Sequence, residues 1–237
     1  TPDLASGPAT PVAKQRAPNG VLIGTFSVGT ATYGMSTGAT HVWTANSYDQ
    51  SVSKLRASDG ALIGTYPVGD APGGLVFDGT HIWTANMFDD SVSKLRASDG
   101  ALIGTYPAAS GPSLGTTPAG NYPEALAFDG THIWITGWYS NSVSKLRASD
   151  GALIGTYPVG NGTYGMAFDG THIWTANSDD RSVSKLRASD GALTGTHPVG
   201  DAPGGLAFDA THIQTTHKYD HPAYHNGSET VGTSGTH

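Results

Sequence analysis

Ser91-Val92-Ser93-Lys94-Leu95-Arg96-Ala97-Ser98-Asp99-Gly100-Ala101-Leu102 occurs four times letter for letter, the other copies beginning at Ser51, Ser142 and Ser182. A second phrase, Phe77-Asp78-Gly79-Thr80-His81-Ile82-Trp83, anchors the same unit and sets Trp43, Trp83, Trp134 and Trp174 in equivalent positions, with Gln214 in the last copy. The steps between these residues are 40, 51, 40 and 40. A fixed period in the forties, made of short β-forming runs, is the mark of a radial or stacked array. The third copy is longer by 11 residues, Ala108 to Pro118.

Each unit divides into four strands, a to d. In the fourth copy these are Gly165 to Asp169, Ile173 to Asn177, Ser182 to Ala188 and Ala192 to Val199, with Asp-Gly at the a–b and c–d turns. Asp-Gly between alternating runs signals a tight hairpin, because Gly accepts the positive φ that the turn needs. Four antiparallel strands joined by hairpins make one propeller blade. The chain opens with strands c and d alone, Val12 to Ala17 and Val21 to Val28, and closes with a and b alone, Gly204 to Asp209 and Thr211 to Thr215. The expected fold is therefore all-β, a five-bladed propeller of four-stranded antiparallel blades closed by pairing the N-terminal c and d strands with the C-terminal a and b strands. Such closure removes exposed strand edges. Residues 1–10 read as a flexible leader, 11–218 as one propeller domain with an insertion at 108–118, and 219–237 as a divergent tail.

Composition limits the functions open to it. A net charge of -7 and only 13% charged residues argue against nucleic acid, which demands clustered Lys and Arg. No apolar run reaches the length of a membrane span. Cys is absent, which excludes disulfides and thiol chemistry. The Pro-, Ala-, Ser- and Thr-rich start fits export, so a secreted, periplasmic or cell-surface monomer is expected.

Val68 to Asn86, followed by Ser91-Val92-Ser93-Lys94, resembles the YVTN-type (surface-layer, YncE-like) β-propeller repeat, which runs Val-Gly-x-x-Pro-x-Gly to Val-Ala-Asn to a Val-containing strand. The resemblance covers residues 11 to 215 and implies a propeller. Members of that family are mostly exported or cell-surface proteins without an assigned reaction, and usually have seven blades. More distantly the repeat is similar to the streptogramin B lyase propellers. No position here matches that family's catalytic His and Glu, so the likeness implies no catalytic residue.

Function is sought where the copies differ. The b–c and d–a connections fall on one face and vary, whereas the a–b and c–d hairpins on the other face scarcely do. Loops on a rigid scaffold concentrate binding residues, and the varying face offers aromatic rings beside carboxylates: Tyr33, Tyr48, Asp49, Phe88, Asp89, Tyr122, Glu124, Trp138, Tyr139, Tyr164 and Asp179. These groups stack on sugar rings and bond their hydroxyls, or anchor a protein partner. The expected function is thus a ligand-recognition propeller, carbohydrate-binding in the lectin manner. A structural cell-surface repeat is one alternative. A lyase or hydrolase at the central channel is another, with Glu124, alone of its kind among the d–a positions, as its candidate residue.

The recurring histidines, His41, His81, His132, His172 and His212, lie on a strand second from the axis, a circle too wide for one ion. Structural hydrogen bonding beside the recurring Thr and Asp is expected of them, and packing between blades of the recurring Trp. Asp89-Asp90 and Asp179-Asp180 lack the spacing of a calcium loop. His217, His221 and His225 fall in the divergent tail, where Pro222 and Gly227 oppose a helix. No metal or cofactor is expected.

Overall fold

A computed structural model describes residues 10–16, 21–38, 40–108, 122–217 and 229–232. Most of the expected leader, insertion and tail, including His221 and His225, lies outside the described residues. Among the described residues every regular element is a strand. In chain order they are β1 (Pro11–Arg16), β2 (Val21–Ser27), β3 (Thr32–Thr37), β4 (His41–Asn46), β5 (Ser51–Arg56), β6 (Leu62–Pro67), β7 (Pro72–Phe77), β8 (His81–Asn86), β9 (Ser91–Arg96) and β10 (Leu102–Pro107). There follow β11 (Pro123–Phe128), β12 (His132–Gly137), β13 (Ser142–Arg147), β14 (Leu153–Pro158), β15 (Thr163–Phe168), β16 (His172–Asn177), β17 (Ser182–Arg187), β18 (Leu193–Pro198), β19 (Pro203–Phe208), β20 (His212–His217) and β21 (Glu229–Gly232).

Strands β3–β6, β7–β10, β11–β14 and β15–β18 each form one antiparallel four-stranded sheet in sequence order, as the repeat predicts. At the ends the sheets differ from expectation. β20 takes β21 as its third strand, with Thr215 opposite Glu229 and His212 opposite Gly232, while β1 and β2 form a two-stranded sheet. The expected pairing of the N-terminal strands with β20 is not made: β21 occupies that edge, and β1 and β2 pair with each other.

The hairpins follow from the turn residues. At the a–b turn the Asp78 carboxylate accepts from Thr80 N at 2.8 Å and His81 N at 2.6 Å, and Gly79 takes φ +98. At the c–d turn Gly100 takes φ +79 and its N–H donates to the Arg96 carbonyl at 2.8 Å. The b–c ladders run without a break, His81 opposite Arg96 through Asn86 opposite Ser91. Every strand a from β3 onward is bulged, shifting register between its first and fourth residues. A bulge re-aims the residues that leave the ladder.

The chain divides into two compact units, Thr1–Pro107 and Ala108–His237. In each, the core lies between consecutive sheets. Trp43, Ala45 and Val52 of one sheet bury against Leu75, Ile82 and Leu95 of the next, as Trp134 and Val143 do against Met166 and Ile173. The indoles therefore pack between sheets, as the sequence predicts. A buried lysine on strand c laces two of these junctions. Lys54 Nζ donates to the carbonyls of Ala97 and Ser98 at 2.7 and 2.9 Å, and Lys145 Nζ to those of Ala188 and Ser189 at 2.7 and 3.3 Å. Lys14 makes the same pair of bonds to Ala57 and Ser58.

Candidate functional site

Within the second unit, the varying loops bring four aromatic side chains together in two pairs, with the buried carboxylate of Glu124 near Tyr122. Tyr122 ends the d–a connection at φ 46, and Pro123 starts β11. The bulge between Pro123 and Leu126 turns Glu124 out of the ladder, and it is 5% exposed. The Tyr122 carbonyl accepts from Trp138 N at 3.1 Å, which holds the b–c loop beside it. The Tyr122 and Tyr139 rings meet edge to face at 5.5 Å. Trp138 and Tyr164 do the same at 5.3 Å across the junction between the β11–β14 and β15–β18 sheets. Burial first, and then the charge of Glu124 and the neighbouring Tyr139, push the Tyr122 phenol above its usual range. Tyr139 is about half exposed and presents a ring to solvent.

Thr136 ties this junction. Its hydroxyl accepts from Ala125 N at 2.9 Å and donates to the Tyr164 carbonyl at 3.0 Å. Sequence reading missed it, although Ala45, Ala85 and Ala176 at the same repeat position mark the departure. It also missed a set of bonded pairs between loops. Gln50 donates to Asp70 at 3.1 Å, Asn141 to Asn161 at 2.7 Å, and Arg181 pairs with Asp201 at 2.9 Å. A carboxylate faces Gln50 and Arg181, and an amide faces Asn141.

The other expected site residues fall into two groups. Tyr33, Tyr48 and Phe88, in the first unit, are each more than half exposed. The acidic loop residues instead hold backbone. Asp49 accepts from Thr30 N at 2.7 Å and from the Thr30 hydroxyl, and Asp89 accepts from Asp70 N at 2.6 Å. Asp180, the equivalent in the fourth copy, accepts from Asn161 N at 2.7 Å. Asp179 is exposed and lies against Gly162, where the other copies carry Tyr48, Phe88 and Tyr139.

The hairpin ends of the blades carry the recurring His, Trp and Asp. Asp78 accepts from Trp83 Nε1 at 2.8 Å, from the Thr80 hydroxyl at 3.0 Å and from the two turn amides. Burial pushes this carboxyl up, but the bonds from Trp83, Thr80 and His81 together outweigh it and leave it below its usual range. His81 Nδ1 meets the Thr80 hydroxyl at 2.8 Å, and Lys94 Nζ lies 4.9 Å from the Trp83 ring centroid. Clefts open at these ends between neighbouring blades, about 670 Å³ beside Trp43 and about 420 Å³ beside Asp129.

No protein-family model matches the chain, and no curated protein matches it. Solved structures do. A streptogramin B lyase is 15% identical at a TM-score of 0.72, over 87% of this chain and 69% of its own. A functionally unknown protein from Desulfotomaculum acetoxidans is 12% identical at a TM-score of 0.75, over the same shares, 87% and 69%. The virginiamycin B lyase from Staphylococcus aureus is 14% identical at 0.72, over 88% of this chain and 71% of its own. At such identities the likeness is one of fold. The repeated four-stranded sheets are β-propeller blades.

Proposed function

We propose that this chain is a recognition module that binds a glycan through the b–c and d–a loops of its blades. The five repeat copies are taken as blades of one disc, with β21 in place of β1 as third strand of the last. The observation that supports the reading is the pair of edge-to-face contacts, Tyr122 with Tyr139 and Trp138 with Tyr164, beside the buried Glu124. Aromatic faces cover the C–H faces of sugars, and a carboxylate accepts from hydroxyls. Tyr33, Tyr48 and Phe88 supply weaker, similar surfaces in the first unit, and several unequal sites raise avidity by roughly 10² to 10⁴ without new contacts. An exported or cell-surface setting suits this role.

A lyase reading has one observation in its favour. Glu124 is buried at a bulge where the other copies carry Tyr33, Gly73, Tyr164 and Gly204, and two of the structural neighbours described above are lyases. A glycan array probed with wild type and Trp138→Ala separates the readings. A defined signal that Trp138→Ala weakens at least tenfold supports recognition. A blank array supports a structural repeat, and turnover of an array sugar abolished by Glu124→Gln supports the lyase.

A further inference from the structure

Four copies place a carboxylate at the a–b turn, Asp78, Asp129, Asp169 and Asp209, and in each a side-chain N–H from the third residue of strand b reaches it. The donors are Trp83 and Trp134 Nε1 at 2.8 Å, Trp174 Nε1 at 2.7 Å and Gln214 Nε2 at 3.0 Å. Where Trp is lost, as at Gln214, a donor is kept. The first copy does the reverse, keeping the donors while Gly38 replaces the acceptor.

Two bonds of the turn persist, although Ala39 stands where Gly79 does in the second copy and lies outside the described residues. Gly38 N donates to the His41 carbonyl at 2.9 Å, as Asp78 N does to His81 at 3.0 Å. The Thr40 hydroxyl meets His41 Nδ1 at 2.8 Å, the distance found in the other copies. Trp43 is 2% exposed, and among the described residues no acceptor meets its indole N–H. That N–H is open to the cleft, where a ligand can meet it. The larger of the two clefts opens here, with the apolar ring of Phe77 as a wall and Lys54 Nζ 5.4 Å from the Trp43 ring centroid. The surroundings are cationic. Burial, and then the charges of Lys54 and Arg56, hold the His41 imidazole below its usual range.

We propose that this cleft binds a small carboxylic acid, whose carboxylate takes the place of the Asp78 type of side chain and whose apolar part lies on Phe77. Its oxygens would accept from Trp43 Nε1 and from the Thr40 and His41 amides. The site is distinct from the loop face and does not rest on the glycan reading.

The test uses protein labelled with ¹⁵N at its five tryptophans, titrated with sodium phenylacetate, with sodium chloride and benzyl alcohol as charge-only and ring-only controls. The Trp43 indole resonance, assigned from Trp43→Phe, should move downfield and saturate while the other four stay in place. Gly38→Asp restores the internal carboxylate. A Cβ at Gly38 would meet nothing closer than Phe77 Cε1 at 3.4 Å, so this variant should fold. Its Trp43 signal should start at the shifted position, and its affinity for phenylacetate should fall by about tenfold or more, the scale of one charge-assisted hydrogen bond. An unmoved Trp43 signal, an equal response to benzyl alcohol or chloride, or an undiminished response in Gly38→Asp would overturn the proposal.

Discussion

Asp129 shows how much one side chain carries in this repeat. Its carboxylate takes bonds from Trp134 Nε1, Thr131 N, the Thr131 hydroxyl and His132 N, all between 2.7 and 2.9 Å. Asp129→Ala leaves the N–H of the buried Trp134 and the partly exposed turn donors without their acceptor. It should lower stability by about 2–3 kcal/mol, read as the shift in a denaturant midpoint. A contrary case sits one strand further in. The hydroxyls of Thr44, Thr84 and Thr175 are buried with no partner among the described residues, and the third copy places Ile135 at that position, 1% exposed. Thr84→Val should therefore raise stability by about 1 kcal/mol in the same assay, since it removes an unsatisfied group and keeps the shape. At this scale the sequence was a partial guide. It marked the recurring His and Trp as structural, and the His bond to the neighbouring Thr while the Trp pack between sheets. It offered Asp49 and Asp89 as ligand contacts, yet they hold amides 19 residues back in the chain. That bond exists only once the blade has folded, so no local pattern announces it.

Strands b and c follow the repeat closely, because their β-forming residues and Asp-Gly turns repeat without interruption. Strand a is less regular, and its bulge brings neighbouring blades into near contact. A Cβ on Gly165 would come within 2.2 Å of the Gly204 carbonyl oxygen, and one on Gly34 within 2.3 Å of the Gly73 oxygen. Both obstacles are backbone, so the strands must part. Gly165→Ala should destabilise by about 1–3 kcal/mol, visible as a lower melting temperature. Gly79→Ala meets no atom within 4 Å and loses only its φ +98 turn. The closing strand was the element that sequence reading placed wrongly. Residues 11–28 align with strands c and d, and that alignment drew them to β20. Beyond His217 the repeat pattern dissolves, so nothing in it pointed to Glu229–Gly232.

Across the whole molecule the same carboxylate recurs, which makes acid stability a collective property. Asp78, Asp129 and Asp169 are all held below the usual value of 3.8, burial opposing and the Trp, Thr and His bonds prevailing. The unfolded chain takes up protons at these sites before the folded one does. Their contribution is complete above the ordinary carboxylate range and is lost as pH falls through the depressed folded values. The melting temperature should thus stay level down to about pH 5 and drop steeply below pH 4 or so. Asp129→Asn, which cannot titrate there, should show a shallower drop from a lower starting point.

Four of the five hairpin ends commit their Asp carboxylate to their own turn, and the proposed recognition of glycan falls to the loops that depart from the repeat, with Trp138 at their centre. Hydrogen exchange of the intact chain, with and without the strongest glycan found on the array, tests that assignment most directly. Slowed exchange should be confined to the amides of residues 122–125, 137–141 and 162–165, and Trp138→Ala should abolish it. Protection at the hairpin turns 78–83 or 96–101 instead, or bound glycan that leaves residues 137–141 unprotected, would contradict it.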